Sequence, residues 1–342
     1  MTTSSGNSKS SFWDFLRSLF APKPPSTPPK PPAPADNVTE VAKIVTARVL
    51  LVVYDPVMDP ASGEKLSRLM NWKRPEDLIT GFISDILQTS NGMARYQIVE
   101  RVDLNEFPTL IDGFCYTPQG YLDVIHKVQP PHTPPMADYQ AILARLNILT
   151  RIAQGDIDEV WLFAFPHAGF YESTMAGAGA FWCNAPPIAG TDTCPRRFIV
   201  MGFSYERGVG EMLESFGHRA ESVLEKTFAK TSGEANLYRK FTRYDKESPD
   251  QAEVGNIHYA PNSESDYDWG NPRLVDSACD DWYNFPNFQG TTRQVNANEW
   301  GNGDIRQHHV WWLKHIPHVA GRTSGVHNNW WQYIMDPNLV IL

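Results

Sequence analysis

Four carboxylates and one imidazole fall in a single line between residues 205 and 228. In the stretch YERGVGEMLESFGHRAESVLEKTF, Glu211, Glu214, His218, Glu221 and Glu225 follow one another at intervals of 3, 4, 3 and 4. On a helix of about 100° per residue, each member sits one turn from the next on one face. Met212, Leu213, Phe216, Ala220, Val223 and Leu224 make the apolar face. A solvated acidic face ordinarily interleaves Lys or Arg at i+4, because like charges one turn apart destabilise a helix. Here Arg219 and Lys226 lie off the row. The row reads either as a plain solvent face or as a place for a cation or an acid/base pair, and the second reading predicts that it faces a cleft.

The chemistry that fits the second reading is metal-assisted. Glu214 and His218, at i and i+4, can reach one ion from one helix face, and zinc accepts both donor types while keeping a position open for water. Glu211 or Glu221 then stands as the general base. The remaining ligands are expected from DIRQHHVWWLKHIPHVAG, which carries His308, His309, His315 and His318, with His309 and His315 the named candidates. The segment FPHAGFYESTMAGAGAFWCN offers His167, Tyr171, Glu172 and Trp182 as substrate contacts. Its Gly-x-Gly fragment lacks Gly-Lys-Ser/Thr and a following helix, which excludes a phosphate loop. The chain has no G-x-S-x-G elbow, which argues against a serine hydrolase. Cys183 beside His167 is a further nucleophile pair, with no supporting pattern.

These residues need elements to position them. Ala47–Tyr54 (ARVLLVVY), Tyr96–Val102, Asp158–Phe165 and Phe198–Phe203 read as strands, the first apolar enough to be buried on both faces, the second alternating and the third buried. Helices are expected over 75–88, opened by Pro75-Glu76-Asp77, and over 138–154. Strand and helix alternate, so the expected fold is α/β, with a mainly parallel sheet flanked by helices. The acidic-row helix follows the fourth strand, at a carboxyl end, where such folds place their ligands. Residues 245–305 lose all periodicity and are rich in Asn, Asp, Gly and Trp. They are expected to wrap over the domain as a long irregular region. A helix carrying the histidines is expected from Asp304, and a last short one over 328–334.

Composition narrows the partners. A net charge of −9 argues against nucleic acid. A small molecule, a peptide or a glycan remains. The 11 Trp, 13 Tyr and 17 Phe suit either a loop-rich aromatic core or an aromatic ligand surface. Cys115, Cys183, Cys194 and Cys279 form no C-x-x-C pair, so a thiolate zinc site is not expected, while Cys183 and Cys194 are close enough in sequence to close a small disulfide loop. Residues 1–36 contain PKPPSTPPKPPAPA and are expected to be a disordered, proline-rich tail ahead of a single domain over 37–342. No apolar run of about 18 residues and no secretion-signal core is seen, which makes a cytoplasmic location the default and leaves an extracellular one open.

Glu214-Ser-Phe-Gly-His218 resembles the HExxH helix of zinc peptidases, in the form followed by Phe-Gly-His. The match departs at two positions: Glu214 stands for the first histidine and Ser215 for the catalytic glutamate. The segments DEVWLFAFPHAGFYESTMAGAGAFWCN, FIVMGFSYERGVGEMLESFGHRAES and HHVWWLKHIPHVAG with NNWWQYIMDPN also resemble an uncharacterised bacterial protein family, over about residues 45–342. That resemblance implies one site shared by three segments and supplies no catalytic residue. Two functions follow as expectations. One is a metal-dependent hydrolase of peptide or amide bonds, with zinc as cofactor; the alternative is a non-catalytic glycan- or surface-binding protein using the Trp/Asn-rich loops.

Overall fold

The computed structural model describes residues 41–342. The reading of the tail over 1–36 lies outside the described residues. Five strands form the central sheet: β1 (Val45–Tyr54), β2 (Ala94–Leu104), β3 (Glu159–Ala164), β4 (Ser173–Ala176) and β5 (Phe198–Ser204). Their order is β2-β1-β3-β5-β4. The first three junctions are parallel and β4 joins β5 antiparallel. The mainly parallel α/β sheet is therefore as expected. β3 is buried at all six positions, as a strand covered by helices on both faces must be.

Helix α1 (Pro75–Thr89) links β1 to β2, with Pro75 at its first turn and Glu76 and Asp77 against its positive end. The helix expected over 138–154 is two: α2 (Tyr139–Arg145) and α3 (Ile148–Gln154). Asn147 takes φ 50° between them, the left-handed conformation that Asn tolerates better than most residues, and the apolar periodicity runs on across the break. β4 was not foreseen, because four wholly buried residues inside a loop carry no alternation. Likewise the segment read as a helix over 328–334 is split. Val326–Asn329 pairs with His318–Thr323 as a hairpin, and only Trp331–Met335 is helical.

Helix α4 (Val209–Thr227) leaves β5 through the turn at Gly208, whose N–H donates to Glu211 Oε2 at 2.9 Å. Its apolar residues Met212, Leu213, Phe216, Ala220, Val223 and Leu224 are at most 2 % exposed. The same helix is tied to the sheet by an ion pair that was not anticipated. Arg219 is fully buried and donates to Glu159 Oε1 on β3 at 2.6 Å. Residues 245–304 wrap as irregular chain, with one short strand pair, Val275–Ser277 with Arg293–Val295. Their tryptophans Trp269, Trp282 and Trp300 are buried, so they serve as core rather than as a displayed ligand surface. Helix α5 (Ile305–Lys314) closes the layer against α4 and α1.

All four cysteines are free. Cys183 Sγ lies 3.7 Å from Ser173 Oγ and Cys194 Sγ donates to the Arg196 carbonyl at 3.3 Å, so no disulfide closes the 183–194 loop. Among the described residues no helix is long and apolar enough to cross a membrane.

Candidate metal centre

The acidic row divides into four uses along α4. Glu211 at the N-terminus caps its own helix through Gly208. Glu225 at the far end pairs with Arg239 at 2.7 Å on the surface. Between them, Glu214 is buried and His218 is half-buried, and the two face a third residue, His258. One donor atom from each of Glu214, His218 and His258 comes within 4.8 Å of the others. His218 Nε2 and His258 Nε2 are 3.1 Å apart, and His258 Nε2 is 3.2 Å from Glu214 Oε1. Two nitrogens held at about 2.0–2.1 Å around a tetrahedral ion stand about 3.3 Å from one another. The observed spacing is close to that.

The other ring nitrogens explain why both Nε2 atoms turn inward. His218 Nδ1 lies 3.0 Å from Glu221 Oε2, and His258 Nδ1 lies 3.0 Å from Asp266 Oδ1. A carboxylate at Nδ1 favours the tautomer with the proton there, leaving Nε2 as a bare lone pair. Two such lone pairs and a carboxylate oxygen then converge on one point, which calls for a cation or a shared proton. Tyr267 donates to Glu214 Oε1 at 2.8 Å, and its backbone takes φ 58° to bring the ring there. Burial pushes the Glu214 carboxyl up, but the imidazole of His258 beside it and the hydrogen bond from Tyr267 outweigh that and hold the group down at about 2. Burial likewise opposes charge on His218. Glu221, Glu172 and Glu214 together lift its pKa above the ordinary 6.5.

The local sequence shows how His258 reaches the helix. Asn256 Oδ1 accepts from the N–H groups of His258 and Tyr259, both at 3.0 Å, making a tight side-chain turn. Ile257 N–H donates to Glu221 Oε1 at 3.0 Å, so Glu221 holds one imidazole by a side chain and the other by its neighbouring backbone. The Ile257 side chain lies against Gly217; a Cβ there would sit 2.3 Å from Ile257 Cδ1. The glycine of Glu-Ser-Phe-Gly-His is what admits the loop. Trp312 of α5 fixes the turn from behind, donating to the Gly255 carbonyl at 3.0 Å.

A cavity of about 440 Å³ opens at the carboxyl ends of β3 and β5. His167, Glu172, Arg207, Glu211 and Ser215 are among its lining residues. Glu172 joins it to the cluster: its Oε2 accepts from Asn184 Nδ2 at 2.7 Å and stands 4.0 Å from His218 Nε2.

The expected residues thus divide. Glu214 and His218 lie in the cluster, and Glu172 and His167 line the cavity beside it. Glu221 has both oxygens engaged, which makes it a positioning group. Glu211 is a helix cap on the cavity wall. Tyr171 hydrogen bonds to Met136 Sδ at 3.0 Å and stacks on Tyr139, away from the cavity lining. Trp182 is 60 % exposed and is not among the cavity's lining residues. His309 is buried close enough for the Glu214 charge to act on it, and its Nε2 has no partner among the described residues, yet it falls outside the three-donor group. His315 lies in another group, with Cys279 and Asp280. The third donor therefore comes from the 256–267 turn rather than from residues 308–318. His258 escaped sequence reasoning because a single histidine in aperiodic chain has no spacing to betray it. The one available signal was the run of acids that follows it, of which Asp266 proves to be its partner.

Comparison with protein-family models, curated proteins and solved structures gives no match to this chain.

Proposed function

We propose that the protein is a metal-dependent hydrolase whose Glu214, His218 and His258 hold one divalent ion of the zinc type. The observation that carries this reading is the paired orientation of the imidazoles. Each Nδ1 is held by a carboxylate, and the two Nε2 atoms meet 3.1 Å apart beside Glu214. Two histidines and one glutamate are a known donor set for catalytic zinc, leaving a position open for water. A zinc ion bound there would supply Lewis acidity and lower the pKa of that water to about 7.

The chain's own residues fill the other roles. Glu172, on the cavity wall with Oε2 4.0 Å from His218 Nε2, is the carboxylate suited to take the water's proton. Tyr267 holds Glu214 in place and offers a hydroxyl next to the reacting centre. The cavity receives the substrate, an amide- or ester-bearing small molecule or peptide. The test is a hydrolysis screen against such substrates with zinc-loaded full chain. Activity that is lost with chelator, restored by zinc, and reduced by about 10²–10⁴-fold in Glu172→Gln is expected for a general base. Activity that survives metal removal, or an unaffected Glu172→Gln, would refute the assignment.

A further inference from the structure

A second set of metal-type donors lies outside the centre just described, where the irregular region meets the end of α5. Cys279 and Asp280 open the turn Cys279–Asn284, and His315 caps α5. A sulfur, a carboxylate oxygen and an imidazole nitrogen from these three lie within 4.8 Å of one another. Cys279 and His315 are 0 % and 2 % exposed.

His315 supplies the observation that points to a ligand. Its Nδ1 faces the Trp311 carbonyl at 2.8 Å, and a carbonyl can only accept, so Nδ1 carries the proton. The other nitrogen, Nε2, is then a lone pair; it is buried and has no hydrogen-bond partner among the described residues. Buried polar atoms are almost always satisfied, and an orphan of this kind calls for an explanation. Asp280 accepts from Arg293 at both oxygens, at 2.5 and 3.2 Å, and Oδ1 also faces Cys279 Sγ at 3.7 Å, so a metal would take Oδ1 in place of that thiol contact; Glu299 accepts from Arg293 at 2.9 Å.

We propose that Cys279, Asp280 and His315 form a second zinc site, independent of the hydrolase reading. Thiolate, imidazole and carboxylate are all zinc donors, and a water completes four-coordination. Binding exchanges the thiol proton, which leaves to solvent, for the sulfur–zinc bond. Burial otherwise holds that thiol neutral, with a pKa pushed up to about 11. The ion would clip the irregular region, which supplies His258, Asp266 and Tyr267 to the first centre, onto the end of α5.

Cobalt(II) separates the two sites, because only Cys279 offers sulfur and only a thiolate gives the sulfur-to-cobalt charge-transfer band. The full chain should take up two equivalents of cobalt and show that band. Cys279→Ser should lose the band and one equivalent; His258→Ala should lose one equivalent and keep the band. Wild type without the band, or Cys279→Ser that retains it, overturns the second site. A failure of the first centre appears separately, as wild type that shows the band with one equivalent only, or as His258→Ala that keeps both equivalents. If Cys279→Ser does not fold, wild type decides the matter: the charge-transfer band should appear on adding cobalt and vanish with chelator, and its absence overturns the proposal.

Discussion

Replacing Arg219 by Met should cost about 3–5 kcal/mol of stability, the range for breaking a buried ion pair from one side. The guanidinium is fully buried and spends its donors on three acceptors: Glu159 Oε1 at 2.6 Å, the Tyr96 hydroxyl at 3.2 Å, and the Ile334 carbonyl at 3.0 and 2.8 Å. Met approximates its length but offers no donor. Glu159, 1 % exposed, would keep Trp161 Nε1 at 2.8 Å as a strong donor and little else to balance its charge. The Ile334 carbonyl would lose both of its side-chain donors. For a chain of 342 residues the lower end of about 2–4 °C per kcal/mol applies, so the midpoint should fall by about 6–10 °C. The assay is urea and thermal unfolding of wild type, Arg219→Met, Glu159→Gln and the double variant. The double variant should lose less than the sum of the singles, because it removes both charges together. A single-variant loss below about 1 kcal/mol, or strict additivity, would show that the pair does not fix α4 on the sheet. It matters for function because Arg219 adjoins His218 and sets the register of the helix that presents it.

Three further outcomes follow. Gly217→Ala should force Ile257 aside and move His258 with it; a loss of about 1–3 kcal/mol for overpacking is expected, together with weaker metal binding measured by zinc titration. Unchanged zinc affinity would mean that the 257 loop yields without moving His258. Glu221→Gln keeps the shape but weakens the hold on His218, and should lower zinc affinity by about 10–100-fold, against no change if Glu221 is a bystander. His308 is wholly buried, and desolvation depresses its pKa well below 6.5. The unfolded chain therefore binds that proton first. Stability present above about pH 6.5 should be lost as pH falls through that value, with a slope of up to about 1.4 kcal/mol per pH unit for this group. Urea midpoints of chelator-treated protein at pH 7 and pH 5 measure it, and a midpoint that does not fall at pH 5 would contradict the assignment.

Most of the sheet was legible because its strands are apolar runs with clear ends. Val45–Tyr54 and Glu159–Ala164 are buried almost throughout, and a run of that kind has few other uses. The acidic row of α4 was legible as a row, since 3.6-residue periodicity is a local property. What each member does was not. Glu211, Glu221 and Glu225 are equivalent on a helical wheel, yet one caps, one orients an imidazole and one pairs with Arg239. Those differences are made by Gly208, by the 257 loop and by Arg239, which are brought in by tertiary structure. Arg219 read only as a charge off the row because its partner Glu159 lies 60 positions away on a strand. His258 and its partner Asp266 sit in chain whose course is set by side-chain turns such as Asn256, and periodicity carries no information there. The histidines of α5 drew attention by number, but His308 stacks on Trp269, keeps both ring nitrogens buried without a partner among the described residues, and lies outside the three-donor group.

The central claim is that Glu214, His218 and His258 together bind one divalent ion. Its most direct test is a competitive zinc titration against a chromophoric chelator, in the Cys279→Ser background so that one site is counted. One equivalent of tightly bound zinc is expected, abolished by His258→Ala with the fold retained by circular dichroism. No bound zinc, or binding that His258→Ala leaves unchanged, would contradict it and leave the two imidazoles as a proton-sharing pair.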